Sequence, residues 1–292
     1  MKRPVHIKRL NGFVFLLLAG AMLLSLAACG KEEAAAPNPY EGMVQVSNGA
    51  GGMMWVKLLE GLEASDFDPE DFSHAGKFID YTGSEYAAIR GIDVSSHQGG
   101  IDWELVAADG VEFAMIRAGY RGYTEGGLYE DEKFRENIQG ALAAGLRVGV
   151  YFFSQAVNED EALEEAEFVL DLIEGYDVTL PVAFDWEEIE DEARTSGLDG
   201  NTITDCCLAF CRAVEEAGYE SAVYFYRRLG YFEYDLERLK DLKFWVGALG
   251  DSPDFYYQHH IWQYSITGQI SGIEGDVDLD LYFKKIEPPT GE

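Results

Sequence analysis

The chain has 292 residues, 47% of them hydrophobic, and its 53 acidic and 22 basic residues give a formal net charge of −31 at pH 7. This length and apolar content are sufficient for one large core or two smaller ones. The charge excludes nucleic acid as a partner and electrostatic docking on anionic lipid, because both require a basic face. A cationic partner, or a polysaccharide bound by aromatic and hydrogen-bonding side chains, is compatible with it.

Residues 1–28 have the pattern of an export signal. A basic, acid-free start is followed by the apolar run 13–26, which is too short for a stable membrane span. The signal ends in LAACG at 26–30, which resembles a bacterial lipobox. That resemblance implies cleavage before Cys29, lipidation of its thiol, and anchoring to the outer face of the bacterial cell membrane. An ordinary secretory signal with an incidental cysteine is the alternative.

Two stretches separate this signal from the regular part of the chain. Residues 29–52 are small, polar and rich in Pro and Gly, which predicts a flexible tether. Residues 53–85 contain two candidate strands, 54–58 and 77–81, and predict a small β appendage. We expect the rest of the chain to fold without this appendage.

Residues 86–286 alternate between strand and helix patterns, and 287–292 form a short tail. The predicted strands are 89–94, 113–118, 148–153, 181–185, 222–225, 244–248, 260–264 and 277–280. The predicted helices are 103–109, 130–144, 159–173, 204–217 and 236–240. About five β/α units, followed by three strands with short connections, indicate an α/β fold: an irregular TIM-like β/α barrel.

The run LPVAFDWEE at 180–188 begins as a buried strand and ends in acid. Asp185 and Glu187 stand two residues apart, so in an extended chain both side chains point to one face, with Cα atoms roughly 6.5–7 Å apart. Two carboxylates held this close raise the pKa of one of them, which keeps a proton available near neutral pH. Glycoside hydrolysis needs that combination of a proton donor and an ionised carboxylate. A solvated acidic loop is the alternative.

Further polar and aromatic residues fall at or near the predicted carboxyl ends of the strands, where barrel enzymes carry their sites. Together with the acidic pair they are Asp93, Arg117, Tyr151, Asp185, Glu187, Tyr224, Trp245, Gln263 and Asp278. Aromatic faces cover the C–H face of a sugar ring, and carboxylates act on its oxygens. The set therefore predicts a carbohydrate site, although each aromatic residue taken alone fits a core or rim position.

Motifs spread in order over residues 89–283 resemble glycoside hydrolase family 25, the muramidases. They read GIDVSSHQG at 91–99 with IDW at 101–103, FAMIRA at 113–118, FDWE at 184–187, IWQYS at 261–265 and GDVD at 275–278. The resemblance implies an irregular barrel that cleaves the β-1,4 bond from N-acetylmuramic acid to N-acetylglucosamine, without metal or cofactor. It implies the glycan strands of peptidoglycan as the partner, and we expect a monomer.

The resemblance also assigns roles. Glu187 matches the general acid/base, Asp185 the carboxylate that assists at the anomeric centre, Asp93 the acid of the first strand, and Asp278 the acid near the end. The expected substrate-binding residues are Arg117, Tyr151, Tyr224, Trp245 and Gln263. We favour a retaining course in which the 2-acetamido oxygen of the sugar attacks C1. Direct attack by Asp185 and an inverting course stay open, because carboxyl groups at this spacing can lie about 5–8 Å apart.

The chain departs from the family pattern at three places. Phe152 stands where many relatives have His. Residues 247–249 read GAL, where relatives usually place an acidic or small residue and then an aromatic one. The terminal Asp-x-Asn reads Asp278-Leu279-Asp280. These differences bear on substrate subsites and glycan preference rather than on the reaction.

Other chemistries fit the sequence less well. Cysteines 206, 207 and 211 share one predicted helix, where pairing geometry is poor, so we expect buried free thiols and no metal site. His97 follows two serines but lacks an orienting acid for a serine hydrolase. A chitinase-like barrel would have a further acid at Ala183. A cell-wall glycan-binding lipoprotein with an attenuated site is the rival from another class.

Overall fold

The computed structural model describes residues 38–189 and 192–286. The predicted export signal, Cys29 with the first part of the predicted tether, and the tail after residue 286 lie outside the described residues. Tyr40–Glu292 is one compact unit of the chain. No helix in the described ranges has the length and apolarity needed to cross a membrane.

The described residues form thirteen strands and five α-helices. The strands are β1 Met43–Ser47, β2 Met53–Lys57, β3 Phe72–Ala75, β4 Phe78–Tyr81, β5 Tyr86–Val94, β6 Phe113–Arg121, β7 Leu128–Glu130, β8 Arg147–Ser154, β9 Val182–Trp186, β10 Ser221–Tyr226, β11 Lys243–Gly247, β12 Ile261–Gly268 and β13 Val277–Lys285. The α-helices are α1 Trp103–Ala108, α2 Phe134–Ala143, α3 Glu159–Ile173, α4 Gly200–Glu216 and α5 Arg227–Phe232.

Eight of these strands close into a barrel. Their hydrogen-bonded order is β5, β6, β8, β9, β10, β11, β12 and β13, and β13 returns to β5. Neighbours from β5 to β12 are parallel, whereas β13 is antiparallel to both β12 and β5. Strand β7 extends the end of β6 as a hairpin outside the ring. The predicted irregular β/α barrel is confirmed.

The direction of β13 follows from the short connection before it. Residues 269–276 join β12 to β13, and a parallel crossover needs a dozen or more residues. The reversal places the first residues of β13, rather than its last, beside the carboxyl ends of the parallel strands. The sequence predicts a strand at 277–280; the strand continues to Lys285 and pairs along β5 as far as Tyr86.

The helices cover the outside of the barrel. Helix α3 has the predicted bounds and starts where the Asn158 side chain accepts from the N–H of Glu161 at 3.0 Å. Helix α2 starts at Phe134 instead of Glu130, because Glu130 ends β7 and a turn separates the two elements. The predicted helix 236–240 is wrong: the N–H of Leu239 bonds to the carbonyl of Leu236, a tight i to i+3 turn. The helix of that unit is α5, directly after β10.

Two apolar layers result from the strand alternation. In β10, Ala222 and Tyr224 face the barrel interior, whereas Val223 and Phe225 face the helices. This is the period of two expected for a strand. The interior layer lies below the carboxyl ends of the strands and consists of Phe113, Met115, Tyr151, Leu180, Ala183, Ala222, Tyr224, Trp245, Ile261 and Tyr282.

The predicted tether over 29–52 is wrong where the structure describes its second half. Residues 43–47 form β1, which pairs antiparallel with β2. The turn between them is held by the side-chain oxygen of Asn48, which accepts from the N–H groups of Ala50 and Gly52 at 2.9 Å each. The alternating run MVQVS supplies this strand, although Pro and Gly surround it.

The segment predicted as a β appendage over 53–85 is joined closely to the barrel. The ring of Phe72 lies 5.4 Å from Trp262, and that of Phe67 lies 4.5 Å from Phe283. Phe72 also belongs to the buried layer that covers the outside of the barrel. Arg90 of β5 donates two hydrogen bonds of 2.7 Å to Asp80 of β4. The segment therefore completes the outer core beside β12, β13 and β5.

Candidate active site

A cavity of about 190 Å³ lies at the carboxyl ends of the parallel strands. Its lining residues are Asp93, Ser95, His97, Gln98, Arg117, Tyr151, Phe153, Asp185, Glu187, Tyr224, Tyr226, Trp245, Gln263 and Asp278. All nine residues that the sequence predicts for the site are among them. The barrel therefore brings together acids and aromatics that lie up to 185 residues apart, from Asp93 to Asp278.

The strand register explains this convergence. Paired residues are Arg117 with Tyr151, Asp185 with Tyr224, and Tyr224 with Trp245. Residues paired across adjacent strands project to the same side of the sheet, so inward-facing positions lie side by side around the barrel. Glu187 follows Asp185 by two residues, one position past the end of β9, and returns to the same side.

Asp185 lies on the floor of the cavity and is only 4% exposed. Burial, and then the charge of Glu187, raise the pKa of Asp185 well above its usual range, while the Arg117 guanidinium opposes the shift. Its Oδ1 has no hydrogen-bond partner among the described residues. A buried acceptor without a donor lowers the stability of the protein when no ligand is bound. The same acceptor can take a hydrogen bond from a ligand.

Glu187 lies in the same cavity and is partly exposed. Burial, followed by repulsion from Asp278, raises the pKa of Glu187 to about 7. Because both members of the pair resist ionisation, Asp185 and Glu187 together retain at least one proton near neutral pH. Gln155 holds the backbone here: its Nε2 donates to the Glu187 carbonyl at 3.3 Å, and its Oε1 accepts from the Thr195 hydroxyl at 2.6 Å.

A second acidic group lies across the cavity on β5 and β13. The Nε2 of Gln263 donates to Asp93 at 2.8 Å and to Asp278 at 3.2 Å. The Oε1 of the same amide accepts from the Tyr224 hydroxyl at 2.8 Å, which fixes its orientation. Burial raises the pKa of Asp278 to about 6. Burial, then Asp280 and Asp278, raise that of Asp93 well above its usual range.

Aromatic rings form one wall of the cavity. Trp245 meets Tyr151 at a centroid distance of 5.8 Å and Tyr224 at 4.7 Å, both edge-on. Tyr226 continues the wall at 5.7 Å from Tyr224. Such edge-to-face contacts stabilise the wall. Trp245 and Tyr224 are almost fully buried, whereas Tyr226 is partly exposed and is the ring of this wall most open to a sugar.

Arg117 is held in place from behind. Its Nε donates to Asp131 at 2.8 Å and its Nη2 to the Ser96 hydroxyl at 3.1 Å. The Asp131 side chain is fully buried and also accepts from the N–H of Ser96 at 3.1 Å. A buried carboxylate with several donors fixes the guanidinium, which supplies the cation nearest to Asp185.

Five lining residues were not assigned to the site from the sequence, namely Ser95, His97, Gln98, Phe153 and Tyr226. Three of them stand in the motif at 91–99, which was used for the family resemblance and not for the site. Gln98 and Ser95 form a capping box around a short 3₁₀-helix, which sets this rim of the cavity. Tyr226 follows Tyr224 by two residues, so strand alternation could have found it.

The three departures from the family pattern lie in different surroundings. Phe152 faces the helices, where it meets Phe168 at 6.1 Å, and so lies outside the cavity. A side chain at Gly247 would come within 2.8 Å of the Tyr224 hydroxyl, so glycine leaves room for the aromatic wall. Asp280 is fully buried and accepts a hydrogen bond of 2.8 Å from the Trp245 indole.

The three cysteines of α4 are buried free thiols, as predicted. Burial raises the pKa of Cys206 to about 12, so its reactive thiolate is absent at neutral pH. In the described part of the chain no group of three or more His, Cys, Asp or Glu side chains is arranged to hold a metal ion.

A larger cleft of about 850 Å³ lies at the opposite end of the barrel. Its lining includes Arg147 and Lys243, the first residues of β8 and β11, and His260, the residue before β12. These are the amino ends of parallel strands, which in barrels serve stability rather than chemistry. The acidic residues of the predicted site are all at the other end.

Comparison with known proteins gives a consistent assignment. The family described as glycosyl hydrolases family 25 matches residues 92–273. The autolytic lysozyme of Clostridium acetobutylicum is 31% identical over 199 residues, which cover 68% of this chain and 57% of that protein. Lysozyme M1 of Streptomyces globisporus is 28% identical over 279 residues, which cover 91% of this chain and 88% of that protein.

Among solved structures, the modular autolysin LytC from Streptococcus pneumoniae, in complex with a synthetic peptidoglycan ligand, has a TM-score of 0.60 at 26% identity. The similarity covers 83% of this chain and 57% of LytC. This chain thus spans little more than half the length of the autolytic lysozyme and of LytC. Since the family pattern extends over most of the barrel and includes its acidic strand end, the chain belongs to glycosyl hydrolases family 25.

Proposed function

We propose that the protein is a peptidoglycan hydrolase, an N-acetylmuramidase that cleaves the β-1,4 bond between N-acetylmuramic acid and N-acetylglucosamine. The observation that carries this proposal is the Asp185/Glu187 pair, which retains a proton near neutral pH in a cavity with an aromatic wall. A proton donor beside a second carboxylate is the requirement of glycoside hydrolysis. The lysozymes and the autolysin to which the chain is similar support the substrate class.

Glu187 is the general acid of the proposed reaction. A pKa of about 7 leaves it largely protonated in mildly acidic solution and able to give that proton to the leaving glycosidic oxygen. After the bond has broken, the resulting carboxylate can accept a proton from the incoming water. One residue thus acts first as acid and then as base.

Asp185 assists at the anomeric centre. In the course we favour, the 2-acetamido carbonyl oxygen forms a bond to C1 while the bond from C1 to the leaving oxygen breaks, giving a cyclic oxazolinium. The unpartnered Oδ1 of Asp185 is an acceptor suited to the acetamido N–H. An ionised Asp185 stabilises the positive charge, and Arg117 favours that ionised form. Water then opens the ring with overall retention at C1.

The course of the reaction has its own test. Retention predicts that the first-formed product is the β-anomer, observed by NMR before mutarotation, and an inverting enzyme would give the α-anomer. A thiazoline analogue of the oxazolinium should inhibit competitively if the acetamido group participates. Asp185→Asn should lower kcat because a neutral amide cannot stabilise the cation. Retention without thiazoline inhibition would instead favour direct attack by Asp185.

We further propose that the protein is exported and lipid-anchored through Cys29, with residues 1–28 as the removed signal. The lipobox resemblance at 26–30 supports the anchor, and the cell-wall substrate requires export. Cys29→Ser should release the protein from membranes or leave it unprocessed, as measured by detergent-phase partitioning and by mass. Partitioning and processing that both match the wild type would contradict the anchor.

The experiment that tests the function is turnover of purified peptidoglycan, with mass spectrometry of the new reducing ends. The proposal predicts new reducing ends on N-acetylmuramic acid, whereas cleavage of the other linkage would place them on N-acetylglucosamine. A wild-type protein that sediments with peptidoglycan but releases no fragments would support a wall-glycan-binding lipoprotein instead.

A further inference from the structure

The hairpin formed by β6 and β7 carries a stacked pair of tyrosines near the active-site cavity. The ring centroids of Tyr120 and Tyr129 lie 5.3 Å apart, with 25° between the ring planes. Tyr129 is 46% exposed, and Tyr120 is partly exposed. Neither ring belongs to the lining of the cavity, so the proposed reaction leaves both without a role.

The strand register places the two rings in one row with the cavity floor. Tyr129 is paired with Tyr120 across the hairpin, and Tyr120 is paired with Phe153 of β8. Phe153 is paired in turn with Asp185, and both line the cavity. Paired residues project to the same side of a sheet, so the row leads from the cavity outward along the hairpin. Three steps between neighbouring strands put Tyr129 roughly 14–15 Å from Asp185.

A β-bulge in β6 turns Tyr120 to the cavity side. The register of β6 with β8 shifts between Arg117 and Gly119. Arg117 faces the cavity, so regular alternation would turn residue 120 away from it, and the extra residue reverses this. The Arg117 guanidinium lies 5.6 Å from the centroid of the Tyr120 ring, which shows that the two side chains share one side of the sheet.

Two glycines make room for the Tyr129 ring on the hairpin. The N–H of Gly122 donates to the carbonyl of Gly127 at 2.8 Å, so the two glycines lie opposite each other. A side chain at Gly122 would come within 3.2 Å of the Tyr129 ring, and one at Gly127 within 3.0 Å of its hydroxyl. The ring therefore lies against glycine backbone, and nearly half of the residue's surface stays open to a ligand.

Neighbouring elements hold the turn of this hairpin in place. The buried Arg121 donates to the carbonyl of Gly126 and to the carboxylate of Glu165 on α3, at 2.7 Å each. The N–H of Arg194 donates to the carbonyl of Tyr123 at 2.9 Å. An aromatic surface that is already fixed loses little conformational freedom when a ligand binds.

We propose that Tyr120 and Tyr129 form a subsite for a sugar of the glycan strand beyond those at the scissile bond. Aromatic rings bind the C–H face of sugars without requiring charge. A strand seated over Asp185 has a continuous path to this subsite along the row of paired residues. The inference rests on the proposed function for the identity of the strand as peptidoglycan glycan.

The first measurement compares KM for long glycan strands, freed of stem peptides, with KM for a tetrasaccharide that has two sugars on each side of the scissile bond. Tyr129→Ala should raise KM for long strands by roughly 3–10-fold, the fold-change of one lost aromatic contact. KM for the tetrasaccharide should match wild type. On both substrates kcat should be unchanged, because the ring is remote from the reacting atoms. An unchanged KM for long strands, or an equal rise on both substrates, would overturn the subsite.

Further variants separate the ring face from the stability of the hairpin. Tyr129→Phe keeps the ring and should match wild type. Tyr129→Leu keeps an apolar cover over the glycines without a flat ring, so it should behave like Tyr129→Ala and replaces that variant if it does not fold. Wild-type KM values for Tyr129→Leu would overturn the aromatic contact. A thermal melt checks the fold of each variant.

The matched control is Trp55 on β2. Its indole is also part of an exposed stacked pair, with its ring centroid 4.3 Å from that of Tyr40 and 38% of the residue exposed. Trp55→Ala removes a comparable ring from the other hairpin, outside the row, and should leave both KM values unchanged. A rise in KM for long strands as large as that of Tyr129→Ala would overturn the assignment to the row.

The second measurement does not depend on turnover. Titration calorimetry gives the Kd of long glycan strands for Glu187→Gln and for the same variant with Tyr129→Ala. The second substitution should raise Kd by the same roughly 3–10-fold, and an unchanged Kd would overturn the subsite. If wild type does not cleave peptidoglycan, the proposed function fails, while this comparison of Kd values still decides whether the tyrosines bind the strand.

Discussion

Asp278 lies directly opposite Asp93 in the antiparallel register of β13 with β5. Asp278 is the second residue of β13 and Asp93 the second-last residue of β5, yet both reach the same cavity. This is possible because β13 runs in the opposite direction to the other seven strands, so its first residues lie beside their carboxyl ends. The shared amide of Gln263 holds the two carboxyl groups on one side of the cavity, opposite the pair on β9.

Replacing Glu187 with glutamine should abolish turnover and leave the fold intact. Glutamine keeps the shape and one acceptor but has no proton to give to the leaving oxygen. Loss of a general acid typically costs about 10²–10⁴-fold in rate. Dye release from labelled peptidoglycan measures turnover, and a thermal melt checks folding.

The adjacent acid supplies the control for this variant. The Glu188 side chain is 72% exposed and lies 4.0 Å from Arg228. Glu188→Gln removes the same charge one residue away and should hydrolyse peptidoglycan at the wild-type rate. Wild-type turnover by Glu187→Gln would assign the acid to another residue.

Turnover should depend on pH through Glu187. The general acid must be protonated, so kcat/KM should fall as pH rises through about 7. The same group affects stability: its pKa is higher in the folded protein than in the unfolded chain, so its contribution is lost between about pH 4 and 7. Glu187→Gln should therefore gain in melting temperature relative to wild type over that interval. A rate that is constant from pH 6 to 9 would contradict this assignment.

The lining of the candidate site was predictable because strand alternation and strand ends can be read from residue order. Asp185 and Glu187 at i and i+2 needed no long-range information, and family motifs placed Asp93 and Asp278. The order of elements does not specify a strand's direction, so the reversal of β13 became visible only in the pairing. Leu236 and Leu239 are both buried and stand at helical spacing. A tight turn buries two residues at this spacing as well as a helix does, so the pattern alone could not exclude a turn at 236–240.

The N-terminal part was harder for a different reason. Strand β1 lies in a stretch whose composition is that of a linker, and a hairpin depends on its partner strand rather than on local preference. The aromatic residues of 58–81 could have been recognised as buried, but the barrel surface that receives them is formed by β12 and β13, about 180–220 residues later. Only the tertiary structure connects the two.

The buried ion pair of Arg117 with Asp131 should contribute far more to the free energy of unfolding than exposed ion pairs do. The side chain of Asp131 is 0% exposed and that of Arg117 14%. Removing one partner of a buried pair typically costs about 3–5 kcal/mol, so Asp131→Ala should lower the free energy of unfolding in urea by roughly that amount. Glu130→Ala removes the partner of Arg135 in an exposed pair and should cost below about 1 kcal/mol. Equal costs for the two variants would contradict the argument.

The segment before the barrel should contribute strongly to the stability of the fold. Phe72 is 9% exposed and contacts Trp262 and Phe283 of the barrel, so Phe72→Ala should cost about 3–5 kcal/mol. A chain that starts at residue 86 loses this entire cover and exposes Trp262, and it should melt at a much lower temperature or without cooperativity. A chain that starts at residue 58 is the control. Of the described strands and helices it lacks only the hairpin β1–β2, whose buried Val46 and Val56 lie outside the barrel core. It should melt close to the full chain. If the chain from residue 86 melts like the chain from residue 58, the barrel is independent of this segment, as the sequence alone suggested.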